Sequence, residues 1–144
     1  MLVVGCGRST PDAPTTAPVA APAPTAQTAG PRCFRRALNK DTVTVQLTFA
    51  GDRISGSMVR APFEKDRATG SLAGSRAANG ELELEYAYTI EGSAQTEPAT
   101  MRLEDKQLLL KRAPLEDPGN DGHLRYATGM QAVYWETLEE VPCR

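Results

Sequence analysis

Three cysteines, a single histidine and two groups of carboxylates are the residues of this 144-residue chain whose types suit chemistry. Cys33 and Cys143 bracket everything with a regular hydrophobic pattern, whereas Cys6 stands apart in a stretch of small residues and proline. An odd cysteine count asks which thiol has no partner. The placement of Cys33 and Cys143 at the two ends of the patterned region points to a disulfide joining its first strand to its last, two reduced thiols being the alternative. Asp117, Asn120, Asp121 and His123 share one loop with Gly119 and Gly122. Oxygen ligands on a glycine-containing turn suit calcium, but the spacing is not that of an EF-hand, and these residues are equally the vocabulary of turns. The reading is a turn, with no metal site and no cofactor.

Glu81, Glu83 and Glu85 alternate along one segment. On a strand, residues two apart stand about 6.5 to 7 Å from one another, a separation close to that used by paired-carboxylate glycoside chemistry. A row of glutamates opposite an apolar face is more often a solvated surface that blunts edge pairing. No nucleophile elbow accompanies His123, so no catalytic residue is assigned and the expectation is a non-enzyme. Tyr86, Tyr88 and Trp135 are the candidates for lining a ligand cavity, with Tyr126 and Tyr134 as further aromatics; core packing is their commoner use.

The elements that must position these residues are strands. In Thr42 to Phe49, Val43, Val45, Leu47 and Phe49 share one face and threonines and Gln46 the other. In Glu81 to Ile90, Leu82, Leu84, Tyr86, Tyr88 and Ile90 face inward. This strict alternation marks half-buried strands. Two further segments, around Arg53 to Phe63 and Arg67 to Gly80, carry Gly56, Gly70 and Gly74, which mark bulges, bends or close backbone approach. Asn79-Gly80 is a hairpin signal, and Pro98 demotes part of the strand after Ser93 to an edge or a bulge. Short, regularly spaced strands without an intervening amphipathic helix predict an all-β fold, an antiparallel meander closed as a small up-and-down (lipocalin-like) barrel or a sandwich. A short helical turn is expected before a closing strand near Val133 to Val141. Abundant small residues in the middle strands suggest a filled interior.

Lys plus Arg number 16 and Asp plus Glu 18, a formal charge of -2 without segregation. That excludes the basic footprint of a nucleic-acid binder. No apolar run approaches the ~20 residues of a spanning helix. Residues 7 to 31 hold six prolines, seven alanines and five threonines. Such a composition cannot offset the entropy of ordering, so a disordered tether is expected. Before it, Val3-Val4-Gly5-Cys6 resembles the lipobox of bacterial lipoproteins, a branched apolar residue and a small residue preceding the cysteine that takes the lipid. The resemblance implies that Cys6 is the lipidation site and that residues 1 to 6 are the remnant of a lipoprotein signal peptide.

Residues 33 to 143 are similar to small, uncharacterised envelope lipoproteins of Bacteroidetes-type bacteria, in GDRISGSM, EKDRATGSLAGS, GELELEYAYTIEGS and the C-terminal cysteine. The resemblance implies export, lipid anchoring in the cell envelope, at the periplasm or cell surface, and a barrel-like domain over 32 to 144. It implies no activity. Two functions are expected from the whole: a non-catalytic module binding an envelope protein or component, or a lipocalin-like carrier of a small apolar ligand. A carrier needs a cavity of ≈ 300 Å³ or more lined by the inward tyrosines and leucines.

Overall fold

A computed structural model describes residues 30–129 and 132–144. Cys6, the signal remnant and the tether expected over 7–31, except Gly30 and Pro31, lie outside the described residues. Ten strands follow in chain order: β1 (Arg32–Leu38), β2 (Asp41–Ala50), β3 (Arg53–Ala61), β4 (Ala68–Arg76), β5 (Leu82–Ile90), β6 (Ser93–Glu104), β7 (Gln107–Arg112), β8 (Leu115–Glu116), β9 (Arg125–Tyr126) and β10 (Tyr134–Val141). Eight of them, all antiparallel, form one closed barrel in the order β1-β2-β3-β4-β5-β6-β7-β10, and β8 and β9 pair separately. The barrel, and not the sandwich, is the solution: each strand pairs with the next, and β10 returns to β1.

Strand pleat decides what the barrel encloses, because successive side chains alternate between its inside and outside. The inward set includes Phe34, Val45, Leu47, Ile54, Met58, Leu72, Leu82, Leu84, Tyr86, Met101, Leu108 and Leu138, one contiguous cluster. An eight-stranded barrel is just wide enough to be filled by side chains, and most of these are almost wholly excluded from solvent. Each large aliphatic buried this way contributes about 1.5 to 3 kcal/mol relative to an exposed position.

The turns are those the composition announces. At Asn79-Gly80 the Asn79 carboxamide oxygen accepts the Glu81 N–H at 3.0 Å, and Gly80 adopts φ +85°. In β4, Gly70 serves close approach: a Cβ there would lie 2.0 Å from the Ala87 carbonyl oxygen and 2.5 Å from the Tyr88 Cα of β5. Gly56 and Gly74 are hemmed in similarly by the backbones of β2 and β5.

Pro98 marks an edge, as its missing N–H requires. β7 pairs with β6 only from Met101 to Glu104, so the earlier half of β6 has no barrel neighbour on that side. There the Thr96 N–H donates to the Gly122 carbonyl, the Leu124 N–H donates to the Thr96 carbonyl, and the Thr100 N–H donates to the Tyr126 hydroxyl. Pro98 falls between Thr96 and Thr100 on this same outward-hydrogen-bonding side, where no donor is required. The connection between β7 and β10 thus covers the exposed edge of β6. The helical turn expected in this connection is replaced, among the described residues, by β8, β9 and the bridge from His123 to Thr96. An open strand edge offers backbone partners that a helical turn would forgo.

Cys33 and Cys143 form a disulfide with their Cα atoms 5.2 Å apart. It lies beside the β1–β10 seam, where Cys33 is in register with Val141. The chain enters the barrel at this end, and the opposite end is built from the β1–β2 hairpin, the β3–β4 loop, the β5–β6 hairpin and the β7–β10 connection.

Candidate functional site

At the end away from the disulfide, the inward positions change character. Continuing the inward parity of Phe34, Met58, Ala99, Leu110 and Leu138 by one more pleat gives Arg36, Arg60, Glu97, Arg112 and Glu136. Five strands therefore place charge where the pattern supplies aliphatics elsewhere. Glu97 and Glu136 are each only 6% exposed, so both carboxylates are withdrawn from water and need partners.

Both have them. Arg60 Nη1 lies 2.9 Å from Glu97 Oε1, and its guanidinium sits 5.0 and 5.1 Å from the ring centroids of Tyr86 and Tyr88. Those two rings stack at 4.6 Å and 16°, as same-face neighbours on one strand can. Glu136 is held from two sides, by Arg112 Nε at 2.5 Å and by Arg36 Nη1 on its other oxygen. The Tyr88 hydroxyl lies 2.9 Å from Glu97 Oε2 and 2.8 Å from Gln95 Oε1. Its one proton goes to the charged acceptor, the stronger of the two.

Above this layer the barrel opens into a cavity of about 420 Å³, whose walls include Arg36, Arg60, Arg112, Glu97 and Glu136 with Val43, Ala68, Tyr88 and Ile90. Its inner charges are three guanidinium groups against two carboxylates, an excess of one positive charge. Asp41 and Asp66 are exposed at the rim. Asp41 Oδ1 accepts the Phe63 N–H at 2.7 Å. Asp66 shares a hydrogen bond with Glu91 and, together with its like charge, holds that carboxyl above its ordinary range. The exposed large apolar side chains among the described residues, Leu38, Phe63, Val133 and Tyr134, all belong to this same end.

Burial, reinforced by the hydrogen bond to Glu97, pushes the Tyr88 phenol up to about 12, against the opposing field of Arg60. Burial also raises Tyr86, again against Arg60. The stability associated with a neutral Tyr88 is intact below pH 10.0, its ordinary value, and is lost as the pH rises toward about 12. A tyrosinate absorbance titration is expected to show a component ionising near pH 12 that Tyr88→Phe lacks. Complete ionisation near pH 10 in the still-folded protein would contradict this arrangement.

Of the three aromatics expected around a cavity, Tyr88 lines it. Tyr86 lies deeper, fully buried, its hydroxyl donating to the Met58 carbonyl at 3.0 Å. Trp135 points out of the barrel, because Glu136 and Leu138 fix the inward parity of β10; its ring carries the Arg102 guanidinium at 4.1 Å. Glu83 and Glu85 are exposed on the outer face and Glu81 pairs with Arg102 at 2.6 Å. The Arg102 hydrogen bond holds the Glu81 carboxyl below its usual range.

The acidic loop is a turn. Asp117 accepts the N–H groups of Gly122 at 2.9 Å and Asp121 at 3.2 Å, which lower its carboxyl from the ordinary value. His123 Nδ1 lies 2.8 Å from Thr96 Oγ1, pinning the loop to β6.

The five charged residues of the mouth were not among the residues singled out from sequence. The signal was present all the same: each sits two positions beyond a buried apolar residue of its own strand, so each falls on the inward face. Burying ion pairs is a weak source of stability compared with apolar packing, and departures from core patterning concentrate at functional sites. No protein-family model, curated protein or solved structure matches the chain.

Proposed function

We propose that this chain is a lipid-anchored cell-envelope protein, not an enzyme, that binds a small ligand or the polar end of an envelope component at the barrel mouth. The observation that carries the binding reading is the inward-facing charged layer of Arg36, Arg60, Glu97, Arg112 and Glu136 around a cavity of about 420 Å³. The Val3-Val4-Gly5-Cys6 motif and the Pro/Ala/Thr-rich segment after it support attachment through Cys6. Pro31 and Cys143 lie at the opposite end of the barrel from the mouth, so the expected tether joins the domain away from the cavity. The site suits binding: both buried carboxylates are paired, Glu97 with Arg60 and Glu136 with Arg36 and Arg112, and the arginines outnumber them.

A carrier of a wholly apolar ligand is the second reading, favoured by Val43, Ala68 and Ile90 in the wall. The volume of about 420 Å³ is enough for a carrier, but of the inward tyrosines and leucines only Tyr88 lines it, so this reading is the weaker one. The apolar half of the barrel is filled, and the open volume is where the charges are.

Both halves of the proposal have direct tests. Expressed behind a complete lipoprotein signal in a lipoprotein-processing bacterium, the protein is expected in the membrane fraction with a diacylated Cys6, and Cys6→Ser in the soluble fraction. An unmodified Cys6 in the membrane-free protein removes the anchor. In a thermal-shift panel of charged and neutral small molecules, a mouth ligand at a hundred times its Kd stabilises by about 2.7 kcal/mol. That gain is expected to shrink in Arg60→Gln; stabilisation by neutral hydrocarbons alone would favour the apolar carrier.

A further inference from the structure

We propose that the cavity takes an amphipathic monoanion, its carboxylate against the guanidinium groups of Arg36 and Arg112 and its apolar body against Val43, Ala68, Ile90 and Tyr88. The inference rests on the mouth being a binding site and names the chemistry of what it binds.

Donor and charge accounting carry it. Glu97 and Arg60 form a closed pair, and Tyr88 donates to the same carboxylate. Glu136, by contrast, serves two arginines through one nitrogen of each, Nη1 of Arg36 and Nε of Arg112. A guanidinium carries five N–H donors in a planar fork suited to a carboxylate. Among the described residues, Arg36 and Arg112 make no other side-chain hydrogen bond, so each keeps donors for a second anion. Two positive charges on one negative charge leave an excess of one. A monoanion completes that balance; a dianion over-neutralises it.

The rest of the wall sets the ligand's other half. Val43 and Ala68 are buried, Ile90 packs on the core, and Tyr88 presents its ring, which together make the cavity mainly apolar beside the arginines. Asp41 and Asp66 also line the cavity, but both are exposed at its rim, where solvent and salt screen them more than the partly buried Arg36 and Arg112 and the buried Glu136.

Octanoate, its neutral isostere octanamide and inorganic phosphate are the probes, titrated into the full chain by calorimetry. Octanoate is expected to bind, octanamide at least tenfold more weakly, and phosphate to compete poorly. Arg112→Gln is expected to weaken octanoate at least tenfold. Removing the internal competitor is the decisive variant: Glu136→Gln frees both guanidinium groups and is expected to tighten octanoate about tenfold, a gain that damage to the fold would not produce. Equal binding of octanamide, equal competition by phosphate, or no tightening in Glu136→Gln with its melting transition retained would each overturn the proposal. If octanoate fails while other members of a charged panel bind at the mouth, this inference falls and the binding site stands. If no member of any class binds there, both fall.

Discussion

Gly70→Val is expected to cost at least about 3 kcal/mol, or to abolish a cooperative unfolding transition altogether. Overpacking a core by added methyl groups costs typically 1 to 3 kcal/mol when side chains can adjust. Here they are not what must move. The first atom of any side chain at position 70 meets the Ala87 carbonyl oxygen at 2.0 Å and the Tyr88 Cα at 2.5 Å, both backbone. Relief requires β4 and β5 to separate, which breaks the ladder that joins them. Ala73→Thr is the control, three residues along the same strand and exposed on the outer face. It should stay within about 0.5 kcal/mol of the parent. Urea unfolding with both variants checks the comparison, and a Gly70→Val cost below about 1 kcal/mol would show that the barrel is looser at this corner than described.

Removing the disulfide is the second large effect, acting mainly through the unfolded chain. The bond spans a sequence separation of 110 residues, nearly the whole barrel. The chain-entropy estimate for a loop of about 100 residues is roughly 4.7 kcal/mol, while native disulfides typically contribute about 2 to 4. The Cys33→Ser/Cys143→Ser double variant should lose an amount in that lower range. It should also show where the loss falls. β1 meets β10 through the shortest register in the barrel, Cys33 to Arg35, whereas β2–β3 and β4–β5 are long local hairpins. Hydrogen exchange is expected to speed up first in β1 and β10. Uniform acceleration, or none, would mean that the seam does not depend on the bond.

The strands were legible because the chain alternates cleanly. Val43 to Phe49 and Leu82 to Ile90 announced their inward faces residue by residue, and Pro98 announced an unpaired side of β6 through its missing donor. The cysteine pair was legible from its placement at the domain ends, since a meander that closes must bring its first and last strands together. The β7–β10 connection was not, because its structure depends on an edge of β6 that only the assembled barrel leaves open. Nor was the mouth. Arg36, Arg60, Arg112 and Glu136 lie in the last or first few residues of their strands, where polar residues ordinarily signal solvent, Glu97 lies inside β6, and only the closing of the barrel brings the five strands' charges together. Trp135 shows the converse: a large aromatic invites an interior position, yet Glu136 beside it takes the inward place and sends the indole outside.

The central claim is that this end of the barrel, and no other surface, is where the protein binds. Amide and guanidinium chemical-shift mapping of the full chain against a panel of small charged and neutral molecules tests it most directly. The expected result is a set of perturbations converging on Arg36, Arg60, Tyr88, Arg112 and Glu136, which line the cavity or its floor. Perturbations confined to the outer groove formed by Arg35, Thr44, Gln46, Ser57, Val59 and Val141, with the mouth residues unmoved, would contradict it.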